Sequence, residues 1–273
     1  MTLSNEVAVV TGGGRGIGRA IALALAAEGA KVAVLARSRD ELEETAALAG
    51  DAAPRVLAVP ADVTDEAAVA DAVARVHDRF GPTTLLVNNA AVYTPDEPPL
   101  WEADLGAWWR DVESNVRGPL VCIRAFLPTM VAEGRGRIVT LGSDSGVLPY
   151  PLTSYSFGKS ALVRLTETLG VSLDRAGSPV RTFAISPGAV NTRLTATFAA
   201  KFPDMDWTPA EHSGRLVTAL ASGRYDALHG RYLSVDHDLD VLLERLEEVR
   251  KEELLVQRMR VYGRDGAITT DWE

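Results

Sequence analysis

Short apolar runs bounded by turn residues recur along the chain, at 7–10, 31–35, 55–59, 84–88, 137–141, 180–185 and 231–235. They are rich in Val, Leu and Ile with little polar alternation, the pattern of strands buried on both faces of a parallel sheet. Between them, apolar positions recur at helical spacing over 16–28, 39–49, 65–79, 104–132, 153–176 and 209–222. The repeating β-then-α order predicts an α/β fold: one Rossmann-like, doubly wound parallel sheet of about seven strands, with helices on both faces and right-handed crossovers.

No repeat or low-complexity linker divides the chain, so residues 1–237 read as one domain. Two regions depart from the alternation. Residues 189–208 form a long connection holding Phe198, Phe202, Pro203 and Trp207, the kind of loop that covers a substrate. Residues 238–260 are highly charged, with Leu242, Leu246, Val249 and Val256 at roughly heptad spacing. That stripe predicts a charged C-terminal helix docked on the body or on another subunit, within an extension covering 238–273.

Composition narrows the function. The 273 residues are 47% hydrophobic and 24% charged, and carry a net charge of −9. Such a balance argues against nucleic acid and anionic membrane surfaces as partners, since both select basic patches. No apolar run approaches the roughly 18 residues of a membrane span. The first six residues lack the basic start and apolar stretch of a secretory signal. Cys122 stands alone, so no intrachain disulfide forms. The expectation is a soluble cytoplasmic protein. His77, His212, His229 and His237 show no metal-ligand spacing, and no metal is expected.

The segment Thr11-Gly12-Gly13-Gly14-Arg15-Gly16-Ile17-Gly18 follows the first strand and opens the first helix. Glycines there let the backbone turn tightly and approach a pyrophosphate, while the helix N-terminus offers free N–H groups to it. At the end of the second strand, NAD-preferring folds often carry an acid for the ribose 2′-OH. Here Ala36 holds that place and Arg37 follows. An acid would repel a 2′-phosphate, whereas Arg37 pairs with one, and Arg15 adds a second positive charge. NADP is the expected cofactor, with NAD as the alternative.

Tyr155-Ser156-Phe157-Gly158-Lys159 is the one Tyr-x3-Lys in the chain. Positions i and i+4 share a helix face, and an ammonium beside a phenol is expected to lower the phenol pKa toward the working range. Tyr155 thereby becomes a general acid for reduction and a base for oxidation.

In these segments the chain resembles the short-chain dehydrogenase/reductase family, over residues 7 to 236 or so. Its Thr-Gly-x3-Gly-x-Gly is met at 11–18, Asn-Asn-Ala-Gly by Asn88-Asn89-Ala90-Ala91, and Tyr-x3-Lys by Tyr155 and Lys159. An upstream Ser falls at Ser143, an Asn within the fourth helix at Asn115, and Pro-Gly-x-Val-x-Thr at 187–192. The resemblance implies that Ser143 holds the substrate oxygen, Tyr155 exchanges its proton, Lys159 bonds the nicotinamide ribose, and Asn115 anchors a relay water. It further implies adenine contacts from Asp62 and Val63, ribose contacts from Asn88, Asn89 and Ala90, and contacts from Pro187, Gly188, Val190 and Thr192, the last two at the carboxamide. Gly12, Gly14, Arg15, Gly16, Ile17 and Gly18 would cradle the phosphates. Ser145 is the competing hydroxyl, ranked behind Ser143.

Departures accompany the match. Gly13 stands where Ser or Ala is usual, and Pro119 lacks the N–H that would bond the Asn115 carbonyl in a regular helix, which is expected to leave that carbonyl free. The late Val-Asp-Gly-Gly reads Val235-Asp236-His237-Asp238, a segment that in the family often helps to form the tetramer. A homodimer or homotetramer is expected. Tyr93, Leu148, Tyr150, Val190, Phe198, Phe202 and Trp207 are the candidate substrate wall, suited to an apolar or ring-containing carbonyl or alcohol. The leading reading is an oxidoreductase on that pair. An epimerase or dehydratase of the same fold and a non-catalytic dinucleotide sensor are the alternatives.

Overall fold

A computed structural model describes residues 2–262 and 268–270. Seven parallel strands form one sheet in the order β3-β2-β1-β4-β5-β6-β7. They are β1 Val7–Thr11, β2 Lys31–Ala36, β3 Val56–Pro60, β4 Leu85–Asn88, β5 Arg137–Leu141, β6 Arg181–Ser186 and β7 Tyr232–Ser234. β1 and β4 are entirely buried, as apolar runs without polar alternation require. The chain winds from β1 outward to β3, then returns to lay β4 on the other side of β1. This reversal opens a crevice at the carboxyl ends of β1 and β4.

Successive strand residues point to opposite faces and seed two cores. Ala8 and Val10 join Ile21 and Leu25 of α1 (Gly16–Ala27) and Val217 and Leu220 of α8 (Ala210–Ala221). Val7 and Val9 join Val69 and Val76 of α3 (Glu66–Phe80) and Phe126 and Met130 of α5 (Gly118–Ala132). Side chains start the polar-flanked helices: Ser38 caps α2 (Arg39–Leu48), Asp65 caps α3 and Asp104 caps α4 (Leu105–Val112), each accepting from otherwise unpaired first-turn amides.

Two expected helices are interrupted. The single helix expected over 104–132 is α4, a π-helical turn at Glu113–Arg117, and α5. A wider turn absorbs one extra residue, and here it precedes Pro119, which has no N–H to continue the α pattern. The helix expected over 238–260 is two short ones, α9 (Leu239–Glu244) and α10 (Leu246–Lys251), broken at Arg245. Leu239 and Val249 enter the first core and Leu242, Leu243 and Leu246 pack against it. The apolar stripe is thus taken up by the body, and a straight rod to 260 would lift it away. Glu253 and Leu255 then take positive φ, which no helix continues through. A short hairpin, β8 (Val261–Tyr262) with β9 (Ile268–Thr269), follows; the parts of the extension at 263–267 and 271–273 lie outside the described residues. The remaining helices are α6 (Thr153–Arg175) and α7 (Ala196–Lys201), the latter inside the 189–208 connection.

Candidate active site

The crevice between β1 and β4 is a cleft of about 580 Å³. The glycine turn forms one end, with Gly12, Gly14, Arg15, Gly16, Ile17 and Gly18 on its lining. A Cβ on Gly18 would lie 2.2 Å from the Gly12 carbonyl oxygen, and one on Gly13 would lie 2.7 Å from Val34 Cγ1. Gly13 is therefore a packing requirement of this chain, and Thr45 supplies the nearby hydroxyl, donating to the Gly13 carbonyl at 3.0 Å. Helix α1 starts with no side-chain cap and no acidic residue in its first turn. Its free amides and positive dipole end face the cleft unanswered.

Arg37 lines the cleft, is exposed, and makes no hydrogen bond or ion pair among the described residues. Asp62, also on the lining, is held below the usual carboxylate range chiefly by the Thr64 amide, with the Thr64 hydroxyl and the Arg37 charge adding. Arg15 differs. Glu41 pairs with it at 2.9 Å and with Arg193 at 3.1 Å, so one carboxylate is shared between two guanidiniums. Glu41 escaped the sequence reading because it looks like any first-turn helix acid; only the fold brings Arg15, Glu41 and Arg193 together.

Tyr155 and Lys159 line the same cleft from α6. Lys159 is buried, and its Nζ donates to the Leu141 carbonyl at 2.6 Å and sits 5.4 Å from the Tyr155 ring centre. Burial brings the ammonium down to about 8. Burial also pushes the Tyr155 phenol up to about 12, while the neighbouring Ser143 hydroxyl pulls the other way. The lowering expected from the adjacent ammonium is not among the influences on this phenol; loss of water raises it, against the Ser143 hydroxyl.

Ser143 follows β5 and faces the phenol. Ser145 is buried and donates to it twice, Oγ to Oγ at 3.0 Å and amide to Oγ at 3.3 Å. Asn115 is fully buried in the π-helical turn. Its Oδ1 accepts from the Val92 amide and its Nδ2 donates to the Val92 carbonyl, both at 2.9 Å. The side chain is therefore occupied in clamping the loop after β4. Its carbonyl gets no α-helical bond from Pro119. A Cβ on Gly158 would lie 3.2 Å from Asn115 Cβ, so Asn115 packs against the residue beside Lys159.

Val63, Asn89, Ala90, Pro187 and Thr192 also line the cleft. Gly188 and Val190 do not. Val190 is buried, its carbonyl accepting from Thr195 Oγ1 at 2.7 Å, and Gly188 packs on Thr208. Of the candidate substrate wall, Tyr93 meets Tyr155 edge-on with ring centres 5.5 Å apart. Phe198 meets Phe202 at 4.6 Å and Trp207 at 6.1 Å. Tyr150 and Leu148 are exposed. Ion pairs of Lys201 with Asp96 and of Arg193 with Glu41 tie the aromatic segment down. Among the described residues no group of His, Cys, Asp and Glu is placed to hold a metal, and no helix is long and apolar enough to cross a membrane.

A family model for short chain dehydrogenases matches residues 6–202, a span holding both the glycine turn and the Tyr155–Lys159 pair. The chain belongs to the short chain dehydrogenase family. A short chain dehydrogenase of Monascus purpureus is 38% identical over 247 residues, covering 88% of this chain and 84% of that one. Among solved structures, levodione reductase matches with a TM-score of 0.79 at 28% identity, covering 85% of this chain and 96% of that one. A variant of actinorhodin polyketide ketoreductase with NADPH matches with a TM-score of 0.78 at 28% identity, covering 86% and 97%. Members of this oxidoreductase family bind NAD(P). The residues here fit such a group: an uncapped helix start beside a glycine turn, and an unpaired guanidinium on the lining of the same cleft.

Proposed function

We propose that this short chain dehydrogenase interconverts a carbonyl and a secondary alcohol with a nicotinamide dinucleotide, preferring NADP, on an apolar or ring-containing substrate. The observation that carries the reading is one cleft lined by both the glycine turn and the Tyr155–Lys159 pair. When bound, the dinucleotide would be the source or acceptor of the hydride. The turn amides and the start of α1 would hold its pyrophosphate, Arg37 its 2′-phosphate, Asp62 and Val63 its adenine, and Lys159 Nζ its nicotinamide ribose. Asn89, Ala90, Pro187 and Thr192 would border it. Arg15, already paired with Glu41, contributes less to the phosphate than Arg37.

Tyr155 Oη gives its proton to the substrate oxygen in reduction and takes it back in oxidation. A phenol pushed up to about 12 stays protonated at neutral pH, which suits the reductive direction. Because Ser145 Oγ donates to Ser143 Oγ, the Ser143 hydrogen is free to bond the same substrate oxygen. The Asn115 carbonyl, to which Pro119 offers no α-helical amide, holds a relay water. Tyr93, packed edge-on against Tyr155, and the Phe198–Phe202–Trp207 cluster supply apolar walls that favour a ring. We place the enzyme in the cytoplasm, where its single cysteine, buried Cys122, stays reduced, and we expect a homodimer or homotetramer.

The test is consumption of NADPH against cyclohexanone, a cyclic 1,3-diketone and an open-chain methyl ketone, with Tyr155→Phe as control. The expected result is turnover of a cyclic ketone that the control loses. Binding of NADPH without consumption by any ketone would overturn the oxidoreductase reading in favour of a sensor or of an epimerase or dehydratase, all of which leave the cofactor unspent.

A further inference from the structure

Beyond α10 the chain forms a strap across the end of the sheet. Glu253 and Leu255 take left-handed backbone, with φ of 48° and 63°, a conformation that bulky residues hold only where their surroundings impose it. These turns carry the Leu255 carbonyl to β7, where it accepts the Tyr232 amide at 2.8 Å and covers a sheet edge that would otherwise be open. Arg258 then lies between Glu167 and Glu253, 2.6 Å from each, and Arg164 donates to the Gln257 carbonyl at 2.7 Å. The backbone at 257 is thereby fixed on α6.

What the strap presents from that fixed point is a carboxamide. Gln257 Nε2 donates to the Gly146 carbonyl at 2.8 Å and to Ser160 Oγ at 3.1 Å. Gly146 closes the turn that Ser143 begins, its own amide donating to the Ser143 carbonyl at 2.9 Å. Ser160 directly follows Lys159. One amide nitrogen therefore joins the turn bearing Ser143 to the helix bearing Tyr155 and Lys159. The other flank of the turn is held by Asp144, whose Oδ1 accepts from Ser186 Oγ and from Tyr232 Oη, both at 2.8 Å. Tyr232 is the residue whose amide the strap takes, so both tethers of the turn lead to the same segment.

We propose that Gln257 is a positioning residue, through which the strap at 252–258 keeps the Ser143 hydroxyl facing Tyr155. The proposal rests on the roles given above to Ser143 and Tyr155. It extends them to a segment beyond the 6–202 span of the family match.

Gln257→Met keeps the length of the side chain and removes both donor hydrogens. In the full-length enzyme, kcat for the ketone turned over best is expected to fall ten- to a hundredfold, on the order expected for a misplaced catalytic group, with the Kd for NADPH unchanged. The double variant Gln257→Met with Ser143→Ala is expected to be no slower than Ser143→Ala alone, because Gln257 acts through Ser143. Amide hydrogen exchange over 143–147 is expected to quicken in Gln257→Met while β1 and β4 keep their protection. An unchanged kcat, or losses that multiply in the double variant, would overturn the proposal. If the wild-type enzyme reduces none of the ketones, the carbonyl reading falls alone, and exchange decides the tether: faster exchange supports it and unchanged exchange overturns it.

Discussion

At Gly18 a single added carbon would fall 2.2 Å from a backbone oxygen; at Phe202, in the 189–208 segment, 51% of the residue is open to solvent. On the function proposed above, the two regions serve one site under different constraints. The turn is to bring backbone amides against a phosphate, and packing behind it leaves little room for another geometry. The aromatic segment is to cover a substrate, and surface ion pairs and ring contacts hold it. On that reading, shared chemistry sits where packing is tight and selectivity where it is loose.

That contrast orders the effects of substitution. Tyr155→Phe removes the exchangeable proton and keeps the ring against Tyr93; kcat is expected to fall by roughly 10²–10⁴, with NADPH affinity retained in a fluorescence titration. Gly18→Ala is expected to cost about 1–3 kcal/mol in denaturant unfolding, as overpacking does, and to weaken NADPH binding as well. A methyl tolerated there would break the comparison at its rigid end.

Lys159 tests the same end through pH. Burial lowers it to about 8 from 10.5, so the unfolded chain holds this proton more tightly than the folded one. The cost of the buried ammonium is full below pH 8 and is relieved as pH rises toward 10.5, so wild-type stability gains from this group across that window. Lys159→Met should abolish turnover yet be more stable than wild type by about 2 kcal/mol at neutral pH, after allowing for the lost bond to Leu141. Calorimetry at stepped pH should show the gain vanishing near 10.5. A gain that persists there would assign it to packing.

The smaller effects sharpen the other side. Ala36→Asp places an acid beside Arg37 and is expected to shift the NADPH-to-NADH ratio of kcat/KM toward NADH by about tenfold, the worth of one charge-assisted bond. Lys201→Ala breaks the ion pair with Asp96 on an exposed segment, and its effect on kcat/KM should stay within about fivefold, as exposed pairs contribute at most about 1 kcal/mol. A large loss there would make the segment a closing element rather than a cover.

What the sequence revealed follows the same division. Strand runs, helix starts and the glycine turn obey local rules, and Tyr155 and Lys159 declare their shared face by spacing alone. The doubly wound parallel sheet follows from those local signals, while its strand order emerges only in the fold. Contacts between distant segments were not legible. Glu41 reaches Arg15 from 26 positions away, and Val92 clamps Asn115 of the π-helical turn from 23 positions away. Of the stripe of Leu242, Leu246, Val249 and Val256, the first three pack in or against the first core and Val256 lies beyond the helices; the spacing carried no sign that the helix would break at Arg245. The direction of the Tyr155 shift was misjudged for a related reason: spacing reveals a neighbouring charge, whereas burial appears only once the fold is closed.

The central claim is hydride exchange with a carbonyl carbon at the cleft shared by the glycine turn and Tyr155. Its most direct test is a single turnover of the preferred cyclic ketone with NADPH deuterated at the transferable position of the nicotinamide, read by mass spectrometry of the alcohol. The account predicts one deuterium on the carbinol carbon in the wild-type enzyme and no labelled product with Tyr155→Phe. Alcohol formed without the label, or labelled equally well by the Tyr155→Phe variant, would contradict it.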